Sequence, residues 1–119
     1  KEPHIAQFVT LMDDGSPQIS PVWIDTDGIN VLVNSALGRL KTNNIERDSR
    51  VAVGVYDPAN AYSRVVNITG TVTRITQDGA DEHINLLAKK YLNTEEYEGR
   101  NIQDTRVIIV IKPDRITGI

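Results

Sequence analysis

Gly38, Arg39 and Lys41 stand in a short turn between an apolar segment and a brief polar one. From Val31 to Val53 the sequence reads as strand, turn, helix and strand. A strand ending in a Gly/Arg/Lys turn that opens onto a helix makes a place for a phosphate. Free backbone N–H groups, the helix dipole and two cationic side chains would face the same anion. A solvated basic turn would account for the same spacing, so the surroundings must decide. Arg39, Lys41, Arg47 and Arg50 fall in one segment opposed only by Glu46 and Asp48. That is a small basic patch, suited to a compact anion more than to a polymer.

Other chemistries find little support. His4 and His83 are far apart and have no carboxylate partner at metal-ligand spacing. His83 sits beside Asp81 and Glu82 on a helical pattern, where a solvated, helix-surface role is expected. No Gly-x-Ser-x-Gly, P-loop or His-Glu-x-x-His pattern occurs. The acids Asp13 and Asp14 read as a turn, and Glu95, Glu96 and Glu98 as a solvated loop. With no cysteine, disulfides, thiolate metal sites and cysteine nucleophiles are excluded. A phosphate site without nucleophile, base or metal cluster suits a chain that borrows its chemistry from a phosphate-bearing cofactor. Trp23, the single tryptophan, is either an ordinary core or interface residue or a platform near a planar ring.

The elements that must position these residues are mostly strands. Ile5–Met12 is apolar and β-prone, and Asp13–Pro17 is a turn signal. Gln18–Asp25 alternates as the returning strand, with Pro21 marking an edge or a bulge. Thr26-Asp-Gly28 predicts a type I′ hairpin turn, followed by a strand over Ile29–Ser35. Leu40–Arg47 is a short helix and Arg50–Tyr56 a strand. Arg64–Thr76 alternates as one long strand, with Gly70 at a bend or bulge. Asp78–Leu92 is the long helix. Ala80, Ile84, Leu87, Ala88, Tyr91 and Leu92 fall at helical spacing, and Asp78 or Asp81 is the expected N-cap. Asn93–Asp104 reads as an exposed loop. Thr105–Lys112 is an apolar strand, interrupted by Pro113 and resumed over Arg115–Ile119. The fold class expected is mainly β: a six- to seven-stranded antiparallel split β-barrel with one long helix and short connecting helices.

At 119 residues and 13.2 kDa, one domain is expected. A cofactor of more than a few rings would strain so small a core, which favours a site between subunits. The net charge of −3 and pI near 5.3 argue against nucleic-acid partners. No apolar run approaches membrane-spanning length and no signal peptide is visible, so a cytoplasmic protein is expected. Lys1 is not a methionine, which leaves room for a preceding segment.

Three segments carry a family resemblance. Asp14-Gly-Ser-Pro-Gln-Ile-Ser-Pro-Val-Trp23, Gly38-Arg-Leu-Lys-Thr-Asn-Asn-Ile-Glu-Arg-Asp-Ser-Arg-Val-Ala52 and Tyr56-Asp-Pro58 resemble the pyridoxamine 5′-phosphate oxidase-like superfamily of FMN-binding split barrels. The Gly-Arg-x-Lys turn and the closing Lys112-Pro-Asp-Arg-Ile-Thr-Gly-Ile119 are similar to its branch of oxidoreductases dependent on coenzyme F420. The resemblance implies a homodimer with two cofactors at the subunit interface. It implies that Arg39 and Lys41 clamp the cofactor phosphate and that Asn34, Ser35, Ala36 and Leu37 run alongside it. Ser20, Pro21, Val22 and Trp23 would lie along the tricyclic ring, with Tyr62 and Arg64 reaching across from the partner.

Two departures bear on the activity. Many flavin-binding members carry adjacent Arg-Lys, whereas Leu40 separates Arg39 from Lys41 here. The C-terminal Trp and Arg pattern that serves vitamin B6 oxidation is missing. Hydride transfer between reduced F420 and a small organic acceptor is the leading expectation. An FMN enzyme of the same fold, a non-catalytic cofactor or tetrapyrrole carrier, and a bare interaction barrel are the alternatives.

Overall fold

The structure, a computed structural model, describes residues 5–57, 59, 65–93 and 105–118. Among the described residues, seven strands and two helices follow in the order β1 (Ala6–Leu11), β2 (Pro17–Val22), β3 (Ile24–Thr26), β4 (Val31–Ala36), α1 (Leu40–Arg47), β5 (Arg50–Tyr56), β6 (Val65–Thr76), α2 (Ala80–Leu92) and β7 (Arg106–Thr117). All pairings are antiparallel, in one sheet ordered β2-β1-β5-β6-β7-β4-β3. The strands β2 and β3 lie at opposite ends of that order, yet only Trp23 separates them along the chain. Two residues of extended chain span about 7 Å, so the sheet must curl until its ends meet at Trp23. That is the split barrel expected from the sequence.

The expected single strand over Gln18–Asp25 is therefore two strands broken at Trp23. Alternation alone carries no sign of the break, because the pattern persists while the pairing partner changes from β1 to β4. Pro21 sits on the edge strand, where its missing N–H costs no ladder bond. Gly70 marks a register shift in β6, as its position suggested. A Cβ there would lie 2.6 Å from the Lys112 carbonyl oxygen and 2.9 Å from Ile111 Cγ2, so only glycine fits. Pro113 does not interrupt the last strand: β7 runs unbroken from Arg106 to Thr117. Its pairing with β4 ends at Ile111, so beyond that point one side of β7 needs no donor and proline is tolerated.

Inward residues of every long strand build the core: Phe8, Val33, Val53, Ile68, Val107, Ile109 and Ile111, joined by Ile45 from α1. Helix α1 is tied to β1 by Asn44, whose Nδ2 donates to Thr10 Oγ1 at 3.0 Å. Arg47 donates to the Leu11 carbonyl at 2.7 Å and to Asn44 Oδ1 at 2.9 Å. Helix α2 packs on the outer face of β4 and β7, burying Ala80, Ile84, Leu87 and Ala88, while Leu92 stays half exposed. Its N-cap is Gly79 with φ of 74°, in place of the expected aspartates; Asp81 lies inside the first turn. The expected loop over 93–104 is described only at Asn93, which caps α2 with φ of 57°. Among the described residues no helix is long and apolar enough to cross a membrane.

Candidate functional site

The turn between β4 and α1 is built by backbone geometry. Gly38 takes φ of 85°, which reverses the chain after Ala36. Thr42, fully buried, shares its hydroxyl between the carbonyls of Ala36 at 3.0 Å and Arg39 at 2.8 Å, locking turn to helix. The N-terminus of α1 has no side-chain cap. Arg39 at the N-cap and Lys41 one turn-step on both reach into one cavity, while Leu40 between them stays half exposed and outside its wall.

That cavity measures about 310 Å³. Its lining includes the cations Arg39, Lys41 and Arg106 and the polar residues Asn34 and Ser35. Ile5, Pro21, Val22, Trp23, Ile84 and Leu87 supply the apolar part of the lining. Every charged side chain among these lining residues is positive. Burial pushes the Lys41 ammonium below its ordinary value, and the nearby Arg39 and Arg106 charges push it further the same way. Ser35 is buried, and among the described residues its Oγ has no hydrogen-bond partner. A buried hydroxyl left in this condition costs on the order of 1–3 kcal/mol; along β4 it falls on the same face as the core residues Val31 and Val33, opposite to Asn34.

Trp23 lines the cavity with one face taken: Tyr91 of α2 stacks on it at 5.1 Å between centroids and 14° between planes. The Tyr91 hydroxyl accepts from the Ile24 N–H at 3.2 Å and reaches the Ile24 carbonyl at 3.4 Å. The helix thus clamps the corner where the sheet closes.

Of the residues expected to meet the cofactor, Pro21, Val22, Trp23, Asn34, Ser35, Arg39 and Lys41 share the cavity wall. Three do not. The Ser20 hydroxyl is buried on the edge strand β2 itself, Ala36 is buried at the end of β4, and Leu37 is half exposed outside the lining. Tyr62 and Arg64 lie outside the described residues. The basic patch does not act as one unit. Arg47 is spent on α1 and β1, and Arg50 pairs with Asp48 at 2.7 Å, holding that carboxyl at about 2.

Sequence reasoning missed two residues. Arg106, 6% exposed, donates to Asn34 Oδ1 through Nε at 2.9 Å and a terminal nitrogen at 2.7 Å. The register Ala36↔Arg106 and Asn34↔Ile108 makes them diagonal neighbours on one sheet face, a relation that no local pattern carries. His83 is buried at 7% exposure, contrary to the solvated role expected. Its Nε2 lies 3.2 Å from Asp25 Oδ2 and its Nδ1 3.1 Å from Asn34 Nδ2. A signal was present: His83 stands three residues after Ala80 and four before Leu87, on the buried stripe.

The family model for pyridoxamine 5′-phosphate oxidase matches residues 1–119. Among solved structures, a protein titled F420 reductase superposes with a TM-score of 0.87 at 29% identity, covering 98% of this chain and 90% of that one. General Stress Protein 26 from Bacillus anthracis gives a TM-score of 0.69 at 19% identity, over 96% of this chain and 82% of that one. HupZ from Group A Streptococcus gives 0.66 at 23% identity, over 95% and 82%. At such identities these last two show the fold alone. The search of curated proteins returns no match. A family model spanning the whole chain, on a split barrel with a cationic cavity at the β4–α1 turn, places this protein in the pyridoxamine 5′-phosphate oxidase family.

Proposed function

We propose that this chain is an oxidoreductase that binds coenzyme F420 and passes a hydride to a small organic acceptor. The observation that carries the reading is the cavity itself, whose lining combines three cations, Arg39, Lys41 and Arg106, with apolar residues that include Pro21, Val22 and Trp23. That mixed lining suits a cofactor with a phosphate tail and a planar ring. Arg39 and Lys41 would hold the phosphate as charge-assisted donors, with the uncapped N-terminus of α1 adding its dipole. Pro21, Val22 and Trp23 would flank the ring, and the stack on Tyr91 would keep Trp23 from swinging into the space. When bound, reduced F420 supplies the hydride; the protein's part is to orient, to exclude water and to present one ring face.

The similarity to a structure titled F420 reductase supports F420 over FMN, as does the spacing that puts Leu40 between the two cations. A cavity of about 310 Å³ is at the small end for ligand sites. A tricyclic cofactor would overhang its rim, which favours a homodimer whose second subunit completes the wall. Parallel titration of the purified apoprotein with F420 and FMN tests the reading. Tighter F420 binding, weakened about tenfold or more by Lys41→Met, is the expected result. Tighter FMN binding would select the flavin enzyme. Tight binding with no turnover of quinone or nitroaromatic acceptors would select a carrier.

A further inference from the structure

Asp25, His83, Asn34 and Arg106 come from four different elements and form one unbroken chain of contacts ending in the cavity wall. We propose that Arg106 is the third cation of the anion clamp and that His83 is its positioning residue, acting through Asn34. This rests on the reading of the cavity as a phosphate-bearing ligand's site.

The directions of the hydrogen bonds fix the chain. Arg106 can only donate, so Asn34 must turn Oδ1 toward it. The Asn34 amide nitrogen then faces the other way, donating to the Ala80 carbonyl at 2.8 Å and to His83 Nδ1. His83 Nδ1 must therefore accept, which places the ring proton on Nε2, where Asp25 Oδ2 receives it. Each group has one usable orientation. A neutral imidazole with its proton on Nε2 is the only form that keeps all of them.

The consequence reaches the ligand. Two nitrogens of Arg106 donate to the single Oδ1 of Asn34, so the amide oxygen holds that edge of the guanidinium in place. Arg106 also lies close enough to Lys41 for its charge to disfavour the ammonium. An anion seated between them relieves that repulsion. A guanidinium held rigidly before binding loses little freedom when the anion arrives.

Nitrogen-15 NMR of the imidazole in the unliganded protein tests the positioning half without any cofactor. The neutral Nε2–H tautomer is expected at neutral pH; an Nδ1–H tautomer or a charged ring overturns it. Inorganic phosphate, followed through the Arg106 Nε–H resonance, tests the clamp half whatever the cofactor proves to be. Phosphate should move that resonance. Arg106→Met should weaken its binding about tenfold and flatten its dependence on salt. His83→Gln, which retains an acceptor and a donor, should keep most of the affinity that His83→Phe loses. Unaltered phosphate affinity and salt dependence in a folded Arg106→Met protein overturns the clamp, as does a wild-type protein that binds no phosphate. If His83→Phe does not fold, the tautomer and Arg106→Met still decide. If the wild type binds phosphate but neither F420 nor FMN, the proposed function fails while this inference stands.

Discussion

Lys41 carries a measurable signature of the cavity's purpose. Its ammonium is disfavoured by burial and by the charges of Arg39 and Arg106. An anion bound among them reverses the second effect, so the Lys41 pKa should rise when F420 or phosphate binds. Nitrogen NMR of the lysine with and without ligand checks this; an unchanged value would place the anion elsewhere. His83 makes a second residue-scale prediction. Burial outweighs the Asp25 carboxylate and, with a smaller push from Lys90, leaves the imidazole below its unfolded value of 6.5. Between those two values the unfolded chain binds the proton that the folded one refuses. Stability is therefore full above about pH 6.5 and falls as pH drops toward the folded value. Urea midpoints across that range should fall in the wild type and stay flatter in His83→Gln.

Among the elements, local pattern and pairing partner weighed differently. The helix over Leu40–Arg47 and the strand over Arg50–Tyr56 were legible to the residue, because both are short, bounded by turn residues and patterned for one environment. The break at Trp23 and the unbroken run through Pro113 were not, since each depends on which strand lies alongside. The same holds for the site. The anion turn announces itself through Gly38, Arg39 and Lys41, whereas Arg106 joins them only through the β4–β7 register. Gly70 tests that register directly. Gly70→Ala should destabilise the protein by roughly 1–3 kcal/mol, because the methyl meets the Lys112 carbonyl rather than open space. Chemical denaturation reads the loss; an unchanged midpoint would mean that β6 and β7 do not cross so closely.

At the scale of the molecule, one curled sheet brings distant segments to a single corner. The ends of the sheet meet at Trp23, the β4–α1 turn delivers Arg39 and Lys41, and α2 closes the outer face over Asn34 and Arg106. The cavity is lined by both cationic and apolar side chains, and a homodimer would wall in a cofactor that overhangs it. Sedimentation should accordingly give twice the chain mass, and a monomer at micromolar concentration would remove the second wall. The most direct test of the central assignment is the absorption spectrum of this protein purified from a host able to make F420. A bound deazaflavin is the result expected; a flavin spectrum, or protein that emerges without a chromophore, would contradict it.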